Sequence, residues 1–368
     1  MNFTITRQNL HTGLAAVSAS IPSKTTLPVL SNILFEATED GVWMSGTDLD
    51  VAVRVKVLAD VKEPGSLTAP GKKLQEITRE LPDQPVEVTT RGDQIELKCG
   101  RSHFKLNGLP ADEFPTLAEV DFSEGVSVTG KDLNRLIHHT SFAVSTEETR
   151  PILNAVHWQL RDGEMKMVST KGHRLARMGV KVEATGTASA DFIVPPAALT
   201  QVQRLFKDGD ELSVARSGNH LGFRADTTEI YTRLIEGQYP NYDQVIPRDN
   251  DKVAVIDKKA LASAVRRMAV VASDQTHRIR LKFESGRVHL NVLTPDLGEG
   301  HDELEVGYDG EELEIGFNAN YLLEVLKHIP SDEVDFAFKA PERAATIVPS
   351  GDDAEDYLCL VMPLRLLD

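Results

Sequence analysis

Cysteine is nearly absent: Cys99 and Cys359 are the only two in 368 residues. They cannot build a disulfide framework or a cysteine-rich metal centre, and neither stands in a C-x-x-C pair. Both read as small core hydrophobes. Long apolar runs are missing as well. None approaches the roughly 20 residues that cross a bilayer, and the polar start Met1–Thr4 lacks a basic flank leading into an apolar stretch. A cytoplasmic protein with no membrane contact is expected. There is no H-E-x-x-H, no G-x-S-x-G, no Walker loop and no acidic metal cluster. The expectation is therefore no catalytic residue, no cofactor and no metal. Basic charge is also short, with 40 Lys and Arg against 56 Asp and Glu, formally −16. As a mean, that balance argues against a polyanionic partner.

What is present is ordinary globular composition, 41% apolar and 26% charged, in a length that suits two or three domains. The dominant signal is repetition. Phe3–Leu10, Val126–Leu133 and Val253–Leu261 open alike, each a short strand running into an amphipathic helix, and Leu10, Leu133 and Leu261 are 123 and 128 residues apart. Gly46–Asp50 recurs as Ser169–His173, again 123 on. A second helix follows in each copy (Lys73–Leu81, Ala197–Phe206, Tyr321–His328). The copies close on Phe114-Pro115, Tyr239-Pro240 and Met362-Pro363. The chain is read as three tandem domains at 1–120, 126–247 and 248–368. Helical periodicity is expected over 131–141 (Leu133, Leu136, Ile137), over 74–81 (Leu74, Ile77, Leu81) and over 258–271 (Leu261, Val265, Met268, Val271), with Asp257 as an N-cap. Alternating strands surround them, and the class is α+β, two helices packed on antiparallel sheets in each copy.

Charge sorted by element reverses the first impression. The helical segments 7–18, 71–80, 131–141, 196–208, 258–270 and 320–328 hold 13 basic and 5 acidic residues, leaving −24 for the rest. A shared basic helical surface inside an acidic exterior would confine a polyanion to one place. A domain of this size is about 35 Å across; three in a ring leave a hole of only about 5 Å, whereas six leave about 35 Å. Duplex DNA is roughly 20 Å wide. Two head-to-tail copies would therefore encircle it.

The stretches Leu27–Leu34, Gly46–Leu49, Thr170–Ala176, Tyr239–Pro247, Ile315–Asn318 and Val361–Leu366 resemble the bacterial DNA polymerase III beta subunit family, the sliding clamps, over essentially the whole chain. The resemblance implies a homodimeric ring with pseudo-sixfold symmetry around duplex DNA, bound without sequence preference. It also implies a groove for short linear peptides of the polymerase III alpha subunit, the clamp-loader delta subunit, and other polymerases and repair proteins. Carried over by position, the groove is Leu153, Thr170, Gly172, His173, Arg174, Leu175, Pro240, Val245, Asn318, Tyr321, Val361, Met362, Pro363, Leu364 and Arg365. The expected DNA contacts are Lys24, Lys72, Lys73, Arg79, Arg135, Arg150, Arg204, Lys207, Arg266 and Arg267, long cations that touch phosphate without reading bases. The protomer interface is expected at Phe104 and Leu106 of one chain and Val271 and Ala272 of the other. The sequence departs from the enterobacterial pattern at Gln244 (Arg there) and His277 (Phe there). It places Pro151 and Ile152 where aromatic residues often follow, and Val271-Ala272 are smaller than an Ile-Leu pair. Two other readings stay open: an enzyme using His173 beside Arg174 at a strand end as a general base, and a repeat scaffold that binds peptides but not DNA.

Overall fold

A computed structural model describes residues 1–123, 125–147, 149–161, 163–181, 189–351 and 356–366. Its helices are α1 (Arg7–Ser18), α2 (Gly71–Glu80), α3 (Gly130–Thr140), α4 (Pro196–Leu205), α5 (Lys258–Ala269) and α6 (Ala319–His328). The repeat is visible at single-atom level. The first helix of each copy starts on a side-chain cap at the same repeat position. Thr6 accepts from the Asn9 amide at 3.1 Å, Thr129 from Asp132 at 3.1 Å, and Asp257 from Ala260 at 2.6 Å. Such caps satisfy amides that no helical carbonyl can reach, and each contributes about 1 kcal/mol.

The end of each second helix is clasped from the first. Arg7 donates to the carbonyls of Thr78 and Arg79, Asn134 to Phe206 at 3.1 Å, and Lys258 to Ile329 at 2.7 Å. The buried faces are the expected ones. Leu10, Leu14 and Val17 of α1 are fully enclosed, and so are Leu133, Leu136 and Ile137 of α3 and Leu261 and Val265 of α5. Gly13 is required for close packing, because a Cβ there would sit 2.7 Å from the Met44 sulfur. Both cysteines are buried. Burial drives the Cys359 thiol up to about 12, so it stays a protonated, inert core group.

Sheet topology crosses the repeat boundaries. Val51–Val57 closes the first repeat's meander and pairs with Thr228–Arg233, the last strand of the second repeat, inside one eight-stranded antiparallel sheet. Arg174–Lys181 closes the second meander and pairs with Tyr357–Val361, the last strand of the third, inside another. Contacts accordingly divide the described chain into two compact units, one of 1–134 and 197–234, the other of 135–181, 189–196 and 235–366. The central repeat contributes strands to both.

Two strands of these same classes are different. Ser102–Asn107 ends the five-stranded sheet of the first unit, and Gly298–Glu305 ends the four-stranded sheet of the second. Each has a sheet neighbour on one side only.

Candidate peptide groove and nucleic-acid face

In the second unit the hairpin Glu164–Thr170 and Arg174–Lys181 turns through Lys171-Gly172-His173. Gly172 takes φ +93°, the left-handed region that favours glycine. The Thr170 hydroxyl closes the turn, donating to the Arg174 carbonyl at 2.7 Å and accepting from the Gly172 amide at 3.1 Å. The chain's last strand extends this hairpin. The Met362 amide donates to the His173 carbonyl at 2.8 Å, and the Leu364 amide donates to Gly316 at 2.8 Å. Arg278 donates to the Arg365 carbonyl at 2.9 Å. The tail is thus held through its own backbone at three points, twice by backbone partners and once by the Arg278 side chain. Gly316 permits this, since a Cβ there would lie 2.8 Å from the Leu364 carbonyl oxygen.

Leu360 of the last strand joins an apolar cluster with Val168, Leu175, Ile193, Tyr239 and Tyr242, and Ile152, Leu153 and Ile246 pack at its margin. Met362 (37% exposed) and Val245 (56% exposed) stand at the surface. His173, Gly172 and Pro240 are exposed, while Pro363, Leu364, Leu153 and Tyr321 are half-buried. An apolar floor with exposed Met, Val and Pro walls suits the anchors of an extended peptide.

Four predicted groove residues have other positions than expected. Arg174 is 6% exposed. Its guanidinium donates to the Phe142 carbonyl at 2.7 Å, pairs with Glu324, and lies 5.2 Å from the Tyr321 ring. Burial pushes its pKa down from the usual range. It is a brace for Tyr321 rather than an edge donor. Leu175 and Val361 are enclosed because they alternate inward in the paired strands. Asn318 is the α6 N-cap, accepting from the Asn320 and Tyr321 amides. Sequence reading missed Lys171, whose ammonium sits 4.5 Å from the centroid of the same Tyr321 ring. It also missed Glu324, for which the i, i+3 spacing from Tyr321 on α6 was the available signal.

The predicted DNA contacts divide similarly. Lys24, Lys72, Arg79 and Arg266 are exposed with no ion-pair partner among the described residues. Lys73 is exposed and pairs with Glu76 at 2.7 Å. Arg150 pairs loosely with Glu147 at 3.9 Å. Arg135 is half-buried and Lys207 exposed. Two arginines are occupied by structural work. Arg204 donates to the Ala15 and Ala16 carbonyls at the α1 C-terminus and to Gln201. Arg267 grips Asp302 with two nitrogens at 2.5 and 2.7 Å and donates to Ser263. Neither offers a free guanidinium to phosphate.

At the unpaired edges, Phe104 and Leu106 are half-buried on Ser102–Asn107, and Val271 is half-buried. Ala272 is only 5% exposed and faces its own core; the residue left open is Val270, at 78%. Helix α5 ends at Ala269 rather than 271, and Val270 keeps helical angles as its C-cap on the side opposite buried Met268. The described clefts of 650 and 580 Å³ lie elsewhere, under the segment 111–122 of the first unit, and hold none of the predicted residues.

Three domain descriptions of one family match the chain: DNA polymerase III beta subunit N-terminal domain over 1–118, central domain over 127–241 and C-terminal domain over 243–365. A beta sliding clamp of Caulobacter vibrioides is 36% identical, and one of Pseudomonas aeruginosa 34%, each aligned over 100% of both chains. The crystal structure of the Pseudomonas aeruginosa DNA polymerase III subunit beta superposes with a TM-score of 0.95 at 33% identity, covering all of both chains. A Bacillus subtilis sliding clamp gives 0.94 at 27% with the same coverage. With full-length matches to all three domains, a shared fold and its repeat-crossing sheets, this chain belongs to the DNA polymerase III beta subunit family, the bacterial DNA sliding clamps.

Proposed function

We propose that two copies of this chain close head to tail into a ring of six repeats around duplex DNA, and that the ring tethers polymerase and loader subunits through the groove at Met362. The carrying observation is the pair of unmatched edges. Within the chain, the last strand of one repeat pairs with the meander-closing strand of the repeat before it, and this happens at both internal boundaries. Ser102–Asn107 and Gly298–Glu305 are the remaining members of those two classes, and a second copy would pair them in the same way. Their charges are complementary. Gly298–Glu305 carries Glu299 and Glu305 at its ends, while Ser102–Asn107 carries Lys105 next to Arg101 and no acidic residue. Unpaired strand edges are costly to leave open, and opposite charge selects the right partner. Phe104, Leu106, Val270 and Val271 supply the apolar part of this joint.

The inner wall in this reading uses Lys24, Lys72, Lys73, Arg79, Arg135, Arg150, Lys207 and Arg266. Mobile cations on phosphate hold the duplex and let it slide. The peptide groove presents Met362, Pro363, Leu364, Val245, Pro240, Leu153, His173 and Tyr321, with Thr170, Arg174, Leu175, Asn318 and Val361 holding its frame. Short linear peptides of the polymerase III alpha subunit, the loader delta subunit and repair proteins are its ligands. The ring performs no chemistry of its own and works on the chromosome in the bacterial cytoplasm. Among the described residues no helix is long and apolar enough to cross a membrane.

Topology is the test. Loaded onto a nicked circular plasmid, the protein should co-elute with DNA and be lost when the plasmid is cut once. Equal retention on linear and circular DNA would overturn encirclement. His173→Ala should weaken peptide binding and abolish no turnover.

A further inference from the structure

The broad face of the second unit's four-stranded sheet carries a cluster that the clamp reading leaves unused. Strand Gly298–Glu305 alternates its side chains. Gly300 abuts Val271 and Met268, and Asp302 bonds Arg267 of α5, so those positions face the helix. Glu299, His301, Glu303 and Glu305 therefore stand on the opposite face. His289 is directly opposite Glu303 across the ladder, and Asn291 is opposite His301.

One ligand-type atom from each of His289, His301 and Glu303 lies within 4.8 Å of the others. A triangle of that size puts its centre no more than about 2.8 Å from any corner, against about 2.0–2.2 Å for zinc bonded to imidazole or carboxylate. Side-chain rotation alone closes that difference. Each donor is also oriented by an outer partner. The Glu284 carboxylate bonds His289 Nε2 at 2.8 Å, which turns Nδ1 toward Glu303, 3.5 Å away. The Asn291 amide oxygen bonds His301 Nδ1 at 2.7 Å, leaving Nε2 as the donor. Arg287 holds the other Glu303 oxygen at 3.3 Å. The two imidazoles stack with centroids 5.6 Å apart.

We propose that His289, His301 and Glu303 form a binding site for a borderline divalent transition metal, zinc being the probe of choice. Imidazole with one carboxylate suits zinc, nickel or copper, and not magnesium or calcium, which prefer all-oxygen sets. Hydrogen bonds accepted by Glu284 and Asn291 supply the second layer that fixes tautomer and ring orientation in metal sites. Water completes the coordination on the open face. The donors project from the sheet face, so pairing of the strand's free edge in a ring leaves them accessible.

Zinc titration of the full-length protein against a chromophoric chelator tests it. One zinc per protomer is expected. His289→Asn and His301→Asn should each lower affinity at least about tenfold, and Glu284→Gln, which removes only an orienting partner, by about ten- to a hundredfold. His220→Asn, on a strand of the other unit, should change nothing. His289 is half-buried, so His301→Ala on the exposed edge strand serves as the variant that keeps the fold, checked by an unchanged melting curve. Magnesium should not compete. Undiminished zinc binding in a folded His301→Ala protein would overturn the proposal, as would no zinc binding at micromolar metal.

Discussion

His139 shows how one side chain ties stability to pH. Its Nδ1 meets the His328 carbonyl at 2.6 Å, and its ring packs on Tyr357 at 4.8 Å. Burial lowers its pKa from 6.5 to about 4, and that of His328 likewise to about 4. The folded protein thus resists protonation that the unfolded chain accepts from about pH 6.5 downward. The unfolded state binds more protons throughout that window, so stability is complete above pH 6.5 and falls as pH drops toward 4. For His139 alone the loss between pH 7 and pH 5 is roughly 2 kcal/mol. A His139→Gln protein should lose roughly half of the change in melting temperature between those two pH values, His328 supplying the rest, and a slope equal to that of the parent would remove His139 as a cause. Glu96 behaves in the opposite sense. Lys105, at 2.9 Å, and His103, at 3.2 Å, hold its carboxyl down to about 2, so it stays charged across the range where His139 titrates.

At the scale of elements, the tail separates fold from recognition. Its bonds to His173 and Gly316 are made by backbone, so Met362→Ala with Leu364→Ala should leave melting and dimerisation unchanged within a few degrees. Each lost anchor should cost about 2 kcal/mol of peptide binding, read by fluorescence anisotropy with a labelled clamp-binding peptide. Gly316→Ala is the complementary probe. It changes no groove side chain but forces the Leu364 carbonyl outward, and peptide affinity should fall with it. For the edges, Glu299→Lys with Glu305→Lys should raise the dimer dissociation constant at least about tenfold at low salt, an effect that shrinks as salt rises. Insensitivity of sedimentation to both changes would place the joint elsewhere.

Much of this architecture was readable from the sequence, and the residues show why. Leu10, Leu133 and Leu261 report their own repeat because helix periodicity and burial act locally. The N-caps at Thr6, Thr129 and Asp257 lie within three residues of the amides they serve. The bonds that occupy Arg204 and Arg267 include carbonyls 188 and 189 residues away and a carboxylate 35 residues away; a basic residue on a helix looks the same in sequence whether it meets phosphate or a carbonyl. Arg174 carries the family motif, yet its burial depends on Phe142 and Glu324, from other elements. Ala272 was named by position in the family alone, and alignment by position carries no information on its burial. His289 and His301 meet only through strand register, which no linear spacing reveals.

On the whole-molecule scale, net charge and binding are separate quantities. The −16 total keeps the exterior repulsive to DNA while the helices concentrate cations. Because Arg267 is committed to Asp302, the test of the inner wall should use Arg266→Glu with Lys72→Glu. Retention on nicked circles should weaken, and its dependence on salt should become shallower, because fewer phosphate counterions are released. Peptide binding should stay as it was. An unchanged salt slope would mean that these two cations do not meet the duplex.

The strand pairs that cross the repeat boundaries have a consequence for how a ring would open. In the proposed dimer, one kind of junction recurs all the way round: a final strand beside a meander-closing strand. Inside the chain, covalent connection keeps the two halves of each junction at a high effective concentration, so a fluctuation that parts them is followed by rapid return. Between two chains the same junction has no covalent tether: an open joint is held only by the other joint, and once both part, reclosure depends on how much protein is in solution. Opening is then confined to the two protomer joints without any need for a weaker contact there, and a short flexible linker between two copies should remove the dependence of ring assembly on concentration.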